Sequence, residues 1–195
     1  MADSIAILIL AAGSSSRMGD EIKQLLPWKN STFLGHAIAQ AKQVTDSTYV
    51  VLGANMDLIK RKLPQGTSTI ENPNWKNGMG SSISIGVEYI LKQTRDLDGL
   101  LIMTVDQPLL DAEYLNEMIA NFKTKEYKIV ATSYGKRAGV PAIFHKSMLK
   151  ELISLHQDYG AKHVISENIA QTKMMSASGK EIDIDTLTDY HNIIN

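Results

Sequence analysis

A loop of small residues near the start of the chain has the composition of a phosphate-binding loop. It follows the apolar run Ile5–Leu10 and contains Gly13 and Arg17, with Lys23 a few positions later. Small residues let backbone N–H groups approach an anion closely, and the two cations can neutralise phosphate charge. Because the apolar run predicts a buried strand, and α/β proteins bind nucleotides where such strands end, we predict a nucleoside triphosphate site here.

Two common phosphate-binding motifs do not fit this loop. Gly13 and Gly19 have five residues between them and no lysine directly after the second, which excludes a Walker motif. Ser15 and Met18 occupy the second and third glycine positions of a dinucleotide fingerprint counted from Gly13. The remaining alternative is an ordinary strand-to-helix loop, and the added arginine and lysine favour phosphate binding over it.

Carboxylates at two places in the chain could hold a divalent cation. Asp106 directly follows the apolar run Gly99–Val105, and Asp183 and Asp185 would point to the same side of an extended segment. A carboxylate at the end of a buried strand needs a cation or hydrogen-bond donors, and Mg²⁺ prefers one or two carboxylates together with phosphate oxygens and water. The alternative is that Asp106 and Asp185 only cap turns or helices.

A third polar segment leads into a predicted helix. Gly78, Ser81 and Ser82 can present free N–H groups at the helix N-terminus, where an anion or a carbonyl group binds favourably. Simple capping of the helix by Ser81 or Ser82 is the alternative. Trp75 is interpreted either as a cover over the site or as an anchor for its loop.

Hydrophobic periodicity predicts alternating strands and helices along the chain. Asp111 is expected to cap one helix, and Ser31 or Thr32 another. The alternation predicts a three-layer α/β/α sandwich around a Rossmann-like, mostly parallel sheet that binds ligands at its carboxyl edge. The predicted strands lie at 5–10, 49–52, 68–70, 99–105, 128–132, 142–144 and near 174–175, and the predicted helices near 33–41, 56–63, 83–91, 112–122, 146–155 and 159–168 and from 186 onwards.

The composition is that of an ordinary globular chain. Its 195 residues are 44% hydrophobic and 21% charged, which predicts a single domain over residues 1–195. A net charge of −1 without a polybasic run argues against nucleic acid or a membrane as a partner. The absence of cysteine excludes disulfides and thiolate chemistry, and the histidines show no metal-ligand spacing. We expect a cytoplasmic location.

The loop after the first strand resembles a family signature. Leu10-Ala-Ala-Gly-x-Ser-x-Arg-Met-Gly19, followed by Lys-x-Leu-Leu-Pro27, is similar to the signature of the MobA-like nucleotidyltransferases, whose fold is that of the nucleotide-diphospho-sugar transferases. The closest resemblance is to their molybdenum cofactor cytidylyltransferase branch. That family has two residues between Met-Gly and the lysine, whereas Asp20, Glu21 and Ile22 make three here, which we interpret as a one-residue insertion.

The resemblance implies a Mg²⁺-dependent transfer of a nucleoside monophosphate to a phosphorylated, molybdopterin-type acceptor, with release of pyrophosphate. CTP is favoured over GTP, because Ala11-Ala12 stands where guanylyl-transferring relatives carry glycine. Small-molecule substrates are the implied partners, with a transient contact to a molybdoenzyme or its chaperone. The implied catalytic residues are Arg17, Lys23 and Asp106; the metal ligands are Asp106 and Asp185, with Asp183 as the alternative second ligand; and the nucleotide-binding residues are Leu10, Ala11, Ala12, Gly13, Ser14, Lys23, Asn72, Gly78, Ser82 and Asp106.

Two later segments, Gly135 to Pro141 and Leu155-x-x-Asp158-x-Gly-Ala-Lys162, resemble the acceptor-side motifs of the same branch, with departures. Lys136 and Gln157 stand in glycine positions of these motifs, and Lys162 stands in an arginine position. Lysine lacks the planar fork of arginine, so bidentate phosphate recognition is lost there and the acceptor is expected to differ. Lys136, Arg137 and Lys162 either attract phosphate or are solvated surface charges. Two other functions stay open at this point: a sugar- or alditol-phosphate nucleotidyltransferase, and a non-catalytic nucleotide-binding or cofactor-binding chaperone.

Overall fold

Strands and helices alternate along the chain in a computed structural model that describes residues 4–94, 96–155 and 159–194. The strands are β1 (Ile5–Ala11), β2 (Pro27–Trp28), β3 (Ser31–Thr32), β4 (Thr48–Leu52), β5 (Ser68–Glu71), β6 (Gly99–Thr104), β7 (Ile129–Tyr134), β8 (Arg137–His145) and β9 (Thr172–Met175). The α-helices are α1 (Phe33–Lys42), α2 (Met56–Lys60), α3 (Met79–Gln93), α4 (Ala112–Phe122), α5 (Leu149–Ile153), α6 (Ala161–Glu167) and α7 (Leu187–Ile194).

Seven strands form one sheet in the order β5-β4-β1-β6-β8-β7-β9. Strands β5, β4, β1 and β6 pair in parallel, as do β7 and β9, whereas β8 runs antiparallel to both β6 and β7. The carboxyl ends of the parallel strands therefore lie along one edge, and so does the start of β8. The predicted mostly parallel sheet is confirmed.

Strand β1 is apolar on both faces because each face packs against a layer of helices. Ile7 and Ile9 contribute to a core with residues of α1, α4 and α7, while Leu8 and Leu10 contribute to a second core with residues of α3, α5 and α6. All seven residues of the strand are buried. This burial on both sides explains the uninterrupted hydrophobic run, and it confirms the predicted three-layer sandwich.

Capping residues predict the starts of two helices. Thr32 caps α1 by accepting a hydrogen bond from the backbone N–H of Gly35 at 3.0 Å, and Asp111 caps α4 through Tyr114 at 3.0 Å. The helix predicted at 56–63 ends at Lys60, and the first three residues of the segment predicted at 146–155 form a 3₁₀ turn. No helix in the described ranges is both long and apolar enough to cross a membrane.

The prediction for the segment before residue 142 was incomplete. The structure starts β8 at Arg137 and joins it to β7 through a tight turn, in which Gly135 has φ of +73°. Residues 137–140 are more exposed than the apolar half of the strand, so hydrophobicity alone indicates only 142–144. The first segment that resembles an acceptor-side motif thus includes the tip of a hairpin.

The cap of α1 offers a test of the local structure. Replacing Thr32 with alanine removes the oxygen that accepts from Gly35 and should lower the free energy of unfolding by about 1 kcal/mol. Replacing Thr32 with serine keeps that oxygen and should change stability much less. Urea unfolding of both variants checks this, and equal losses for alanine and serine would contradict the capping role.

Candidate active site

A cleft of about 470 Å³ opens at the carboxyl edge of the sheet. Strands β4 and β6 lie on opposite sides of β1, so the chain order reverses beside β1, and α/β sheets bind ligands at such a point. The β1–β6 register pairs Leu10 with Thr104, which brings the loop after β1 next to Asp106. The residues predicted to form the site that line this cleft are Leu10, Ala11, Ala12, Gly13, Ser14, Arg17, Lys23, Gly78, Ser82, Asp106 and Asp185.

Asn72, predicted to bind the nucleotide, does not line the cleft. Its side chain is buried, and its amide nitrogen donates to the hydroxyl oxygens of Ser81 and Ser82 at 2.9 Å each. Its amide oxygen accepts from the backbone N–H of Asn74 at 3.0 Å. Asn72 therefore holds the segment before α3 in place from behind the cleft wall.

Gln24 holds the loop after β1. Its amide nitrogen donates to the carbonyl oxygens of Ala11 at 3.0 Å and Gly13 at 2.9 Å, and its amide oxygen accepts from the hydroxyl of Ser15 at 3.0 Å. That hydroxyl also accepts from the backbone N–H of Lys23 at 3.0 Å. Gln24 is 4% exposed. These bonds fix a loop in which Ser15 has the unfavourable φ of +58°.

The wall opposite this loop begins with Trp75. A Cβ atom at Gly53 would lie 2.5 Å from the Cβ of Trp75 and 2.8 Å from the carbonyl oxygen of Ala12. Only glycine at this position lets the tryptophan pack directly beside the loop. Trp75 also lines the cleft, so it both anchors its segment and forms part of the wall. Gly78, with φ of +89°, then turns the chain into α3.

Both predicted cations meet the carboxylate of Asp185. Arg17 Nη1 donates to one oxygen at 2.7 Å, and Lys23 Nζ donates to the other at 2.8 Å. The hydrogen bond from Lys23 is the main cause of the lowered pKa of Asp185. Lys23 Nζ also lies 3.6 Å from Oδ2 of Asp106. The four side chains form one alternating cluster of charges.

Asp106 has an unsatisfied carboxylate. Among the described residues, its Oδ1 is buried without a hydrogen-bond partner, and its Oδ2 lies 3.6 Å from Lys23 Nζ. A buried carboxylate oxygen without a donor favours a nearby cation. Over the ranges that the structure describes, no three acidic or histidine side chains converge to hold a metal by themselves. Two carboxylates fit Mg²⁺ in this cleft, because that ion commonly takes its remaining ligands from phosphate and water.

The segment carrying Asp185 is attached to Asp106 through the main chain. The backbone N–H of Ile184 donates to the carbonyl oxygen of Asp106 at 2.8 Å. Asp189 Oδ2 accepts from the backbone N–H groups of Asp185 at 3.2 Å and Thr186 at 2.8 Å, and Thr186 Oγ1 accepts from Asp189 N–H at 3.1 Å. Thr186 and Asp189 thus form the reciprocal cap before α7, which leaves the Asp185 side chain directed to the cations.

Asp183 lies in a neighbouring cavity instead. Burial, followed by the negative charge of Asp106, raises the pKa of Asp183. Its Oδ1 accepts from the amide nitrogen of Gln107 at 2.9 Å. That amide also contacts the hydroxyl of Tyr134, which donates to the carbonyl oxygen of Val140 at 2.5 Å. Gln107 therefore connects the end of β6 to the β7–β8 hairpin and to the Asp183 segment.

The neighbouring cavity has a volume of about 410 Å³ and shares Asp106 with the first cleft. Arg137 from the hairpin and Lys162 from α6 line it, whereas Lys136 does not. Gln157, where the acceptor motif has glycine, lies outside the described residues, as does Asp158 of the same motif. The two cavities together could hold two anionic molecules on either side of Asp106.

Reasoning from the sequence missed two buried residues of the site, Gln24 and Gln107. Neither glutamine carries charge or belongs to a catalytic residue type, so composition offers no signal for it. Gln24 has a weak signal, because it lies between Lys23 and two apolar residues. A polar side chain in a segment that must pack on the loop indicates a buried polar contact. For Gln107 the signal is its position between Asp106 and Pro108.

Comparison with known proteins agrees with this geometry. Residues 7–173 match the MobA-like NTP transferase domain, and the chain belongs to this family of nucleotidyltransferases. A probable molybdenum cofactor guanylyltransferase from Bacillus anthracis (strain CDC 684 / NRRL 3495) is 26% identical over 176 residues, which are 90% of this chain and 84% of the relative. The predicted family is confirmed. The name of this relative specifies guanylyl transfer, so the cytidylyl branch stays a prediction.

Solved structures share the fold. Rv0371c from Mycobacterium tuberculosis H37Rv aligns with a TM-score of 0.82 at 24% identity, over 100% of this chain and 99% of that one. A structure of Rv0371c in complex with manganese aligns with a TM-score of 0.77 at 24% identity, over 97% of each chain. The predicted fold class is confirmed.

The role of Gln24 can be tested directly. Replacing Gln24 with leucine leaves the carbonyl oxygens of Ala11 and Gly13 without their donor, which should lower stability by about 2–4 kcal/mol and weaken nucleotide binding about tenfold. Calorimetric titration and urea unfolding measure the two effects. Replacing the exposed Gln43 with leucine is the matched control and should change neither. Unchanged nucleotide affinity in the Gln24 variant would contradict its positioning role.

Proposed function

We propose that the protein transfers a nucleoside monophosphate from a nucleoside triphosphate to a phosphorylated acceptor, with Mg²⁺, and releases pyrophosphate. The observation that carries this proposal is the cluster of Arg17, Lys23, Asp106 and Asp185 in one cleft beside a loop of small residues. Cations for phosphate and carboxylates for a divalent ion are the groups that nucleotidyl transfer requires. This chemistry depends on positioning and electrostatic stabilisation, without a protein nucleophile.

The nucleotide would lie along the first cleft. The backbone of residues 10–13, fixed by Gln24, binds the nucleotide, and the side chains of Arg17 and Lys23 contact the outer phosphates. Asp106 and Asp185 would hold Mg²⁺, which neutralises phosphate charge and orients the α-phosphate. Family membership supports a divalent cation, and so does the manganese complex of the structurally similar Rv0371c.

The acceptor would occupy the second cavity. Arg137 and Lys162 attract its phosphate group and direct one oxygen toward the α-phosphorus. A bond forms between that oxygen and the α-phosphorus while the bond from the α-phosphorus to the bridging oxygen of pyrophosphate breaks. Arg17 and Lys23 stabilise the negative charge that the leaving pyrophosphate carries away. The position of Asp106 between the two cavities supports this arrangement.

The family and its relatives support one class of acceptor. The molybdenum cofactor named for the Bacillus relative supports a molybdopterin-type acceptor. The lysine at 162, in place of the arginine of the acceptor motif, gives a point charge without a fork and favours a differently shaped phosphate contact. A sugar or alditol phosphate is the alternative acceptor.

The nucleobase is tested by the release of pyrophosphate. The protein is incubated with CTP, GTP, ATP or UTP, with Mg²⁺, and with or without molybdenum cofactor. We expect the fastest release with CTP and molybdenum cofactor, because Ala11-Ala12 follows the cytidylyl pattern. Faster release with GTP would overturn the CTP assignment in favour of the activity named for the relative. Binding without release under every condition would support the non-catalytic alternative.

The metal role of Asp106 is tested by substitution. Replacing Asp106 with alanine should lower kcat about a hundredfold or more, because a group that stabilises transition-state charge is lost, while nucleotide affinity stays within about threefold. Replacing Asp98 with alanine is the matched control. Asp98 directly precedes the first residue of β6, at the end of the strand far from the cleft, so turnover should stay intact. Unchanged turnover in the Asp106 variant would refute the metal role.

A further inference from the structure

The two cations assigned to the triphosphate already share an anionic partner within the chain. Arg17 Nη1 lies 2.7 Å from Oδ2 of Asp185, and Lys23 Nζ lies 2.8 Å from Oδ1. Each cation thus contacts a different oxygen of one carboxylate, as two cations would contact two oxygens of one phosphate group. Asp185 therefore stands in for a phosphate in this conformation.

The three side chains differ in how freely they can exchange partners. The Arg17 side chain is 71% exposed, whereas that of Lys23 is 15% exposed. The backbone of Asp185 is held by Asp189. An incoming phosphate would therefore replace the carboxylate mainly through movement of the Arg17 and Asp185 side chains, while Lys23 stays near its present position.

The same carboxylate is the proposed ligand of the divalent cation. Arg17 and Lys23 each lie within 2.8 Å of one of its oxygens and would repel a divalent ion bound to the same carboxylate. A triphosphate that captures Arg17 and Lys23 would release Asp185 for the metal. The ion pairs and the metal site are therefore alternative states of one side chain.

We infer that Asp185 is a positioning residue for Arg17 and Lys23: it holds both at the triphosphate position in the free protein and must be displaced when the nucleotide binds. This inference rests on the proposed function of the cleft. Its consequence is a dual effect of Asp185 on binding. Without a divalent metal the carboxylate competes with the phosphates, and with the metal it contributes to binding.

The dual effect predicts a gain of affinity on removal of a proposed metal ligand. Asp185→Asn should bind inorganic tripolyphosphate, CTP and GTP about threefold to tenfold more tightly than the wild type in EDTA. The substitution removes the partly exposed ion pairs that compete with the phosphates for Arg17 and Lys23. Added Mg²⁺ should tighten binding to the wild type and have little effect on the variant. Calorimetric titration with each compound measures both quantities.

Asp106→Asn is the matched control. Oδ2 of Asp106 lies 3.6 Å from Lys23 Nζ, whereas Oδ1 of Asp185 lies 2.8 Å from it, and the structure gives Asp106 no ion pair with Arg17. The gain in affinity of Asp106→Asn in EDTA should therefore be smaller. Thermal melting verifies that each variant is folded, and Asp185→Ser serves as a second substitution that also removes the charge. The result that overturns the inference is equal or weaker binding of tripolyphosphate in EDTA by both folded Asp185 variants.

Failure of the proposed function gives a different result. If the wild type binds neither nucleotide nor tripolyphosphate with Mg²⁺, the cleft is not a triphosphate site, and the inference fails with the proposal. If the wild type binds nucleotide with Mg²⁺ but the Asp185 variants show no gain in EDTA, only the inference fails.

Discussion

The parallel pairing of β1 with β6 is the constraint on which the site depends. It sets Leu10 beside Thr104, so the loop after one strand and the carboxylate after the other meet at one edge of the sheet. The bond from Ile184 N–H to the carbonyl oxygen of Asp106 then adds a distant segment to that edge. A shift of the β1–β6 register would separate the cations from Asp106, whatever the quality of each local motif.

Buried glutamines connect this framework to the irregular segments of the site. Gln24 satisfies carbonyl groups of a loop that has no regular pairing of its own, and it does so without adding charge beside the phosphate position. Gln107 connects the end of β6 to the hairpin and to Asp183 in a similar way. A neutral amide suits both positions, because it can donate and accept hydrogen bonds where a further carboxylate would repel the substrate.

Local patterns in the sequence predict the fold class and much of the site. The apolar run of β1, the small-residue loop and the aspartate after β6 are each visible within a few residues, and the three-layer architecture follows from alternation. The pairing of Arg17 with Asp185 spans 168 positions and has no local signal. The antiparallel start of β8 was missed because its exposed half lacks an apolar pattern. The contacts of Asn72 with Ser81 and Ser82 likewise had no signal in the sequence.

The charges of the cleft explain why such a site would need a divalent cation. The described residues that line the cleft include three cations and two carboxylates, so the cleft is close to neutral by itself. The cations are Arg17, Lys23 and Lys76, and the carboxylates are Asp106 and Asp185. A triphosphate brings several negative charges into this space and would lie against two carboxylates in a partly desolvated setting, where repulsion is stronger than in water. A divalent cation between carboxylate and phosphate turns that repulsion into attraction. In the proposed function, the carboxylates that balance the cations in the free protein would make binding of the nucleotide depend on the metal.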